Sequence, residues 1–423
     1  MTIGLIRSRG WEVGGAFQYD KLMLETLSSD LDGLPDDLIY LSPPSDAIKA
    51  LVRLDTLSYS GIPIRAFEEE SFVQKPLEAY LAAPPSPFAT ATAAFPPTNE
   101  SLRRRLHQLG VDWMFLLEPT IWGLECRTPF IMPIHDLQHR QQPHFAELSH
   151  GAEFVRREQL YKNACRCATM ILTDSPIGRE DVLNAYGDVI EPDRVRVLPF
   201  ITGLAKSSDD SDSMRPAEIR EIYALPQRFL FYPAQFWPHK NHAAILLAME
   251  ILKRERGLDV HLVLSGSYSS YDRAMVFQTL MQMADTLGLH DKMHYVGFVP
   301  DAHMPALYGA ACALVMPTYF GPTNLPIVEA WDAGCPVITS RIRGITEMVG
   351  DAGLLAAPDD PRELAQAIGR LWTDEALRHD LTRRGLEKTA ARSVTGFHDA
   401  LFGLINEADD IIKAGRSPAF PLD

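Results

Sequence analysis

A strand, a glycine loop and a helix follow one another in Met316-Pro-Thr-Tyr-Phe-Gly-Pro-Thr-Asn-Leu-Pro-Ile-Val-Glu-Ala-Trp-Asp-Ala-Gly-Cys-Pro-Val337. The apolar run at the start of this segment predicts a buried strand that ends near Met316. We expect the helix to begin at about Pro326 and to stop at Gly334, because proline is favoured in the first helical turn and glycine just past the last. In an α/β fold such a helix starts at the carboxyl edge of a parallel sheet, where ligands bind.

Short apolar runs alternate with amphipathic segments along the rest of the chain as well. Continuous apolar runs suit parallel strands that helices cover on both faces. We expect strands at residues 3–6, 38–41, 62–65, 113–117, 130–135, 170–173 and 195–198, and at 229–232, 260–264, 293–296, 313–316 and 336–339. Amphipathic segments such as 243–254 and 361–372 supply crossover helices. The sequence therefore predicts an α/β fold of two Rossmann-like, doubly wound parallel-sheet domains.

The length and local composition indicate where these domains divide. A chain of 423 residues suggests two domains of about 200 residues each. Residues 205–216 are polar and acidic, so they predict a linker between an N-terminal domain, 1–204, and a C-terminal domain, 217–393. Within 394–423 we expect a last helix, at about 394–414, that packs back on the first domain. The Ala-, Pro- and Thr-rich residues 82–99 predict a surface loop.

The overall charge and hydropathy exclude several classes of protein. Hydrophobic residues make up 46% of the chain and charged residues 22%, which is typical of a globular protein. The net charge of −15 argues against a nucleic-acid partner. The sequence has no apolar run of about 18 residues and no signal-peptide pattern, so we expect a cytoplasmic protein, at most associated with the inner face of the membrane. The five cysteines fit neither a disulfide framework nor a zinc pattern.

The expected helix start after the Gly321 loop is a candidate anion site. Free backbone N–H groups and the positive end of the helix dipole favour a bound phosphate there. We expect Glu329 in the first helical turn, where its carboxylate can accept two hydrogen bonds from a ribose diol. The alternative is that glycine and proline only shape the loop and that Glu329 only offsets the dipole.

A second candidate site residue, Lys240, lies in Phe231-Tyr-Pro-Ala-Gln-Phe-Trp-Pro-His-Lys-Asn-His-Ala243. This segment follows the first expected strand of the second domain and precedes a helix. A lysine there can neutralise a diphosphate, and its position against the helix dipole is otherwise unfavourable. A solvated lysine at a helix start is the plainer interpretation. For the neighbours His239 and His242 we expect capping or packing roles, not metal binding.

The first domain offers weaker signals. His135 ends an expected strand in Phe130-Ile-Met-Pro-Ile-His-Asp-Leu-Gln-His139, where a histidine can bind a sugar or move a proton. A structural histidine at a strand end is the alternative. Gly14 and Gly15 predict a tight turn that a ligand can approach. Asp210-Ser-Asp212 matches a metal-binding pattern but lies in the expected linker, so we do not assign a metal site.

Together these segments resemble retaining glycosyltransferase family 4, which has the GT-B fold. The resemblance covers nearly the whole chain and is more specific in the second half. It implies that Lys240 contacts the diphosphate, that Glu329 is the second glutamate of the family's E-x7-E region, and that His135-Asp136 is its first-domain His-Asp pair. It also implies a donor site lined by residues of both domains: Gly14, Gly15, Gln235, Gly266, Val299, Gly321, Pro322, Thr323, Asn324 and Leu325, with Val296-Gly-Phe-Val-Pro300 holding the base.

Two positions depart from the family pattern. The first glutamate of E-x7-E is Gly321 here, and an arginine five residues before the lysine is Gln235. The first change removes a carboxylate that would hold sugar hydroxyls, and the second removes a cation from the diphosphate.

The similarity to bacterial mannosyltransferases of surface polysaccharides implies a particular reaction. It is the transfer of a hexose from a GDP-mannose-like donor to a glycan or lipid-linked acceptor, without a metal. The alternatives are a non-catalytic nucleotide-sugar-binding subunit of a polysaccharide assembly complex, and an epimerase or phosphorylase of the same fold. Arg103, Arg104 and Arg105 fit weak peripheral membrane contact, although a solvated helix face explains them equally.

Overall fold

The structure is a computed structural model that describes residues 2–6, 15–35, 37–42, 64–66, 95–149, 153–202, 214–390 and 392–421. The chain forms two compact units. The first comprises Met1–His144, Leu148–Phe200 and Val394–Asp423, and the second comprises Phe145–Glu147 and Ile201–Ser393. The division thus falls four residues before the expected limit at 204, and three residues from the first half of the sequence belong to the second unit.

The first unit is built on a seven-stranded sheet in the order β3-β2-β1-β4-β5-β6-β7. All its paired strands are parallel. The strands are β1 Thr2–Ile6, β2 Asp37–Ser42, β3 Ile64–Ala66, β4 Trp113–Leu116, β5 Phe130–Pro133, β6 Met170–Thr173 and β7 Val195–Val197. The described helices up to this point in the chain are α1 Gly15–Ser29, α2 Glu100–Gln108, α3 Trp122–Cys126, α4 Gln138–Gln141, α5 Ala146–Ser149, α6 Glu153–Cys167 and α7 Pro176–Tyr186.

The second unit contains a six-stranded parallel sheet in the order β10-β9-β8-β11-β12-β13. Its strands are β8 Leu230–Pro233, β9 Leu262–Ser265, β10 Met293–Tyr295, β11 Ala313–Met316, β12 Val337–Ser340 and β13 Leu354–Ala356. Its helices are α8 Pro216–Ile222, α9 His242–Arg256, α10 Tyr271–Thr286, α11 Met304–Ala310, α12 Leu325–Asp332, α13 Ile345–Val349, α14 Pro361–Thr373 and α15 Glu375–Ala390. A final helix, α16 Val394–Lys413, belongs to the first unit.

Local sequence explains why the helices begin where they do. Ser175 accepts a hydrogen bond from the Gly178 N–H and Pro176 follows it, which fixes the start of α7. Asp360 accepts from two N–H groups and precedes Pro361, which fixes the start of α14 in the same way. Such caps satisfy backbone donors that a helix cannot satisfy internally.

The predicted fold class is confirmed, and each of the twelve expected strands overlaps a strand of the structure. One strand, β13, was not expected. The expected strand 130–135 ends at Pro133, although the Ile134 N–H still donates to the Leu172 carbonyl at 2.8 Å. Most of the expected linker and of the expected loop 82–99 lies outside the described residues, as do Asp210 and Asp212. Within the described chain, no helix is both long and apolar enough to cross a bilayer.

The strand order reverses at one point in each sheet. In the second unit the order reverses between β8 and β11, so the connections after these two strands leave the sheet in opposite directions. Doubly wound sheets bind ligands at such a point, outside the carboxyl ends of the strands. Lys240 follows β8 and the Gly321 loop follows β11, so the two candidate segments of the second unit flank this position.

Candidate active site

The turn that carries Lys240 is bonded directly to the loop that follows β11. Residues Pro238–Lys240 form one 3₁₀ turn. The His239 carbonyl accepts hydrogen bonds from the Tyr319 N–H at 2.8 Å and from the Thr318 hydroxyl at 3.2 Å. The buried Tyr232 of β8 donates its hydroxyl to the Lys240 carbonyl at 3.0 Å. These bonds fix the backbone of Lys240 beside the segment that leads to Gly321.

Asn241 joins three loops at the same edge of the sheet. Its side-chain amide donates to the Pro317 carbonyl at 2.9 Å and to the Pro358 carbonyl at 2.7 Å. These two prolines follow β11 and β13. The backbone of Asn241 is left-handed, with φ of 56°, a conformation that asparagine tolerates better than most residues.

The Gly321 loop is held in a conformation that requires glycine. Gly321 has φ of 143°, and a Cβ at this position would lie 2.2 Å from the Asn324 amide nitrogen. The buried Asn324 side chain donates to the Gly321 carbonyl at 3.1 Å and precedes the first residue of α12. The helix begins at Leu325, one residue before the expected start, and its first turn has no acidic residue. Pro326 has no N–H and the Ile327 N–H donates to the Asn324 carbonyl at 3.1 Å. An anion at this helix start would therefore meet the Leu325 N–H and the N–H groups of Gly321, Thr323 and Asn324.

The prediction that Glu329 lies in the first turn of this helix is wrong. With Leu325 as the first helical residue, Glu329 is the fifth and lies in the second turn. Its Oε2 accepts a hydrogen bond from the buried Tyr308 hydroxyl at 2.7 Å. Burial raises the pKa of Glu329 to about 7, although the Tyr308 bond opposes this shift. A ligand that donates hydroxyl groups to Glu329 would favour its ionised form.

The other expected donor-site residues contribute backbone more than side chain. The Gln235 side-chain oxygen accepts from the Trp237 indole N–H at 2.9 Å. Gly266 has φ of 138°, and a Cβ there would lie 2.2 Å from the Ala234 carbonyl oxygen, so only glycine fits. The Val299 side chain is 4% exposed and belongs to the core of the second unit, so only its backbone can meet a ligand. Its neighbour Phe298 is 62% exposed.

The two histidines beside Lys240 have packing and hydrogen-bonding roles. The buried His242 ring stacks on Phe236 with centroids 4.7 Å apart. Burial and the nearby charge of Lys240 lower the pKa of His242 to about 3, so the ring is neutral. His239 pairs with Glu147, with Nδ1 and Oε1 2.7 Å apart. Over the described ranges no group of three His, Cys, Asp or Glu residues has the geometry to hold a metal ion.

In the first unit, His135 is paired with a carboxylate that follows the neighbouring strand. Its Nδ1 lies 3.1 Å from Asp174 Oδ1. Tyr19 contacts the ring edge-to-face at 4.9 Å, and Phe200 stacks on it at 5.9 Å. Burial raises the pKa of Asp174, against the lowering effect of His135. A carboxylate on Nδ1 fixes the orientation and tautomer of a histidine.

The remaining first-unit candidates stand apart from this pair. Asp136 accepts from the Gln138 N–H at 2.9 Å and from Arg157 at 3.2 Å, so it shapes the backbone after His135. Gly15 begins α1, and Gly14 lies outside the described residues.

Four site residues were missed by sequence reasoning: Glu147, Asp174, Asn241 and Tyr308. A signal existed for Asp174, since it directly follows an expected strand next to the strand of His135. Asn241 adjoins Lys240 and could have been noted as a residue that tolerates a left-handed turn. Nothing local in the sequence marks Glu147 or Tyr308, which reach the site from distant segments.

The sequence of the chain is similar to the sequences of known glycosyltransferases. Residues 217–388 match the family described as "Glycosyl transferases group 1". The O-antigen chain mannosyltransferase B of Escherichia coli is 32% identical over 223 residues, which are 52% of this chain and 55% of that protein. The serotype-specific mannosyltransferase WbdA of Escherichia coli is 23% identical over 273 residues, which are 64% of this chain and 31% of that protein. The chain thus spans about half, or less, of the length of these relatives.

A solved structure resembles the chain over nearly its full length. The crystal structure of Anabaena Alr3699/HepE in complex with UDP and glucose superimposes with a TM-score of 0.71 at 18% identity, covering 96% of this chain and 100% of that one. The chain therefore has the GT-B fold, and its residues 217–388 form a glycosyl transferases group 1 domain.

Proposed function

We propose that this protein is a retaining glycosyltransferase. It transfers a hexose, with mannose favoured, from a nucleoside-diphosphate donor such as GDP-mannose to a glycan or lipid-linked acceptor during surface polysaccharide synthesis. The mannosyltransferase relatives support the choice of sugar. A nucleotide-sugar donor is supported by the UDP and glucose bound in the similar solved structure.

One observation carries the proposal: the His239 carbonyl accepts hydrogen bonds from the loop that leads to Gly321. This contact joins the lysine turn after β8 to the loop between β11 and α12, at the point where the strand order reverses. A pyrophosphate has two phosphoryl groups, and it can use both an ammonium group and a helix N-terminus.

In the proposed reaction, negative charge grows on the departing diphosphate. Lys240 and the opening N–H groups of α12 stabilise this charge, so the site needs no metal for neutralisation. The acceptor oxygen forms a bond to the anomeric carbon while the bond from that carbon to the phosphate oxygen breaks. The acceptor proton passes to the leaving diphosphate. Glu329 holds the ribose, and His135, oriented by Asp174, positions the transferred sugar.

The first experiment is a thermal-shift and transfer screen with GDP-mannose, GDP, UDP-glucose and UDP. A ligand that binds only the folded chain stabilises it by RT ln(1 + [L]/Kd), so a selective shift identifies the donor. Transfer to a polysaccharide-derived acceptor then tests catalysis. If none of the four ligands raises the melting temperature, the chain does not bind a donor of this class and the proposal is wrong.

Lys240→Ala tests the diphosphate contact. Loss of a cation that meets developing charge should lower kcat/KM by about 10- to 1,000-fold. Lys388→Ala, on the exposed face of α15, is the matched control and should retain full activity. Unchanged turnover in a folded Lys240→Ala protein contradicts the assigned role.

A second candidate is a nucleotide-sugar-binding subunit that does not catalyse transfer. Gly321 favours this alternative, because a residue confined to glycine presents no side chain to the sugar. Donor binding without transfer over a broad acceptor panel would support it.

A lipid-linked acceptor would also make weak membrane contact useful. In α2, Leu102 and Leu106 are buried while Arg103 and Arg104 are exposed. Co-sedimentation with anionic vesicles, compared between the wild type and Arg103→Glu, tests whether this face binds a bilayer.

A further inference from the structure

The segment Phe145–Glu147 lies in the first half of the sequence but packs with the second unit. The Phe145 ring contacts His239 edge-to-face at 6.2 Å and Tyr319 at 5.7 Å. Glu147 Oε1 lies 2.7 Å from His239 Nδ1. The segment therefore contacts both sides of the backbone link between the lysine turn and the Gly321 loop.

The second carboxylate oxygen of Glu147 is a buried acceptor that lacks a donor. The side chain is 9% exposed, and Oε2 is buried without a hydrogen-bond partner in the part of the chain that the structure describes. Burial alone would raise the pKa of Glu147, but hydrogen bonds from the His239 ring and the backbone outweigh it, so the pKa is lowered. The carboxylate is thus charged at neutral pH. Leaving an oxygen of a buried carboxylate without a donor is costly, and such an oxygen calls for an explanation.

The nearby loop cannot supply a carboxylate of its own. Residues 316–325, from the last residue of β11 to the first of α12, contain no Asp or Glu. A hydroxyl-bearing ligand at this edge of the sheet presents many donors, and a carboxylate accepts from hydroxyl groups with short, strong hydrogen bonds. Glu147 is bonded to His239, which directly precedes Lys240 in the sequence. This position suits a contact with the part of the ligand that adjoins the diphosphate.

We propose that Glu147 is a sugar-binding residue, whose Oε2 accepts a hydrogen bond from a hydroxyl group of the hexose in the bound sugar nucleotide. This inference rests on the proposed function, and it adds a specificity-determining contact to that site. Its His239 partner holds the carboxylate in place and shares the backbone link that positions the phosphate-binding loops.

Glu147→Gln separates a sugar contact from a structural role. Binding of GDP-mannose and of GDP is measured by calorimetry in the wild type and the variant, with UDP-glucose and UDP as a second pair. Loss of a charge-assisted hydrogen bond should weaken binding of the sugar nucleotide by about 10- to 100-fold. Affinity for the free nucleoside diphosphate should change by less than about twofold, since the sugar is absent. Glu375→Gln, at an exposed glutamate of α15, is the matched charge control and should change neither affinity.

A series of GDP-deoxymannoses, each without one hydroxyl, identifies the bonded group. The analogue that lacks it should bind the wild type as weakly as GDP-mannose binds Glu147→Gln, with no further loss in the variant. If Glu147→Gln does not fold, Glu147→Asp keeps the charge but shortens the reach, and the same selective loss is expected.

The outcomes distinguish failure of the role of Glu147 from failure of the proposed function. Equal weakening of sugar nucleotide and nucleoside diphosphate, no weakening of either, or no coupling to any hydroxyl overturns the role of Glu147 while donor binding stands. If the wild type binds none of the four ligands, the proposed function is overturned, and the inference with it.

Discussion

Glu329 holds its proton to a higher pH in the folded chain than in the unfolded one. Burial raises its pKa from 4.5 to about 7, so between these pH values the folded state binds more protons. The free energy of unfolding must therefore fall as the pH rises through this window. The shift corresponds to about 3 kcal/mol. Glu329→Gln removes the titration, and we expect it to raise stability relative to the wild type at pH 8 but not at pH 4.

Urea unfolding at both pH values measures this difference. The wild type and Glu329→Gln must be compared at each pH because burial also raises the pKa of Glu125, in α3, to about 7. Glu125 therefore gives both proteins a similar pH dependence of the free energy of unfolding. The amide can still accept the Tyr308 hydroxyl, so the mutation preserves that bond. A difference between the two proteins that does not change with pH would show that Glu329 titrates normally in the folded chain.

His135 should affect the sugar and not the nucleotide. It belongs to the first unit and is held by Asp174, whereas the phosphate-binding loops belong to the second. We expect His135→Ala to lower kcat/KM by about 10- to 100-fold, the loss expected for one hydrogen bond to the transferred sugar. The GDP affinity should stay within about twofold of the wild type. An equal loss of GDP affinity, measured by calorimetry, would contradict this separation of roles.

The sequence predicts single site residues better than their partners. Lys240, the Gly321 loop and His135 are recognisable because each follows an expected strand at the carboxyl edge of a sheet. Glu147 is 92 positions from His239, and Asp174 is 39 from His135. Such pairs arise from tertiary packing, which no local spacing encodes. For the same reason the partly buried setting of Glu329 beside Tyr308, and hence its raised pKa, could not be anticipated.

Asn241 acts at the scale of elements, because one side chain ties the loops after β11 and β13 to the start of α9. Asn241→Ala loses two hydrogen bonds and places alanine at φ of 56°. Each bond contributes about 1 kcal/mol, and the left-handed conformation adds a further 1–2 kcal/mol, so we expect a loss of about 3–4 kcal/mol. Asn241→Gly loses the bonds without the conformational strain and should lose about 2 kcal/mol.

The difference between the glycine and alanine variants isolates the backbone conformation of Asn241. Urea midpoints measure the two losses, and GDP affinity should fall in both variants because the phosphate-binding loops lose their common tie. Equal destabilisation by glycine and alanine would mean that the left-handed conformation is not retained.

At the scale of elements, burial explains which strands the sequence reveals. The central strands β4, β5, β8 and β11 are buried on both faces and appear as continuous apolar runs. β13, Leu354–Ala356, was missed; it has three residues, two of them partly exposed, and lies at the sheet edge, although β7 shares these features and was predicted. Helix limits were predicted to within a few residues where proline or glycine marks them. Because α12 begins at Leu325, one residue earlier than expected, Glu329 is its fifth residue and lies outside the first turn.

At the scale of the whole molecule, neither unit is one continuous segment of the chain. The first unit is completed by the last thirty residues, although the second unit lies between in sequence. Helix α16 buries Phe397, Leu401, Phe402 and Ile405. Its Asp409 carboxylate also accepts a hydrogen bond from the buried Trp113 indole N–H at 3.3 Å. Phe402 lies beside Gly33 of the first unit. Neither the core cluster of the second unit nor the cluster around β4 and β5 contains a residue from this helix.

Truncation after Ser393 should therefore unfold one unit and spare the other. Each large apolar side chain removed from a core costs about 2–5 kcal/mol, and the loss of four matches or exceeds the 5–15 kcal/mol that stabilises a typical domain. We expect amides of β1 and β4 to lose protection in hydrogen exchange, while those of β8 and β11 keep it. Truncation after Lys413, which retains α16, should leave both sets protected. If β1 and β4 stay protected in the shorter protein, the first unit folds without its last helix. If instead β8 and β11 also lose protection, the second core depends on the first, and the two units unfold together.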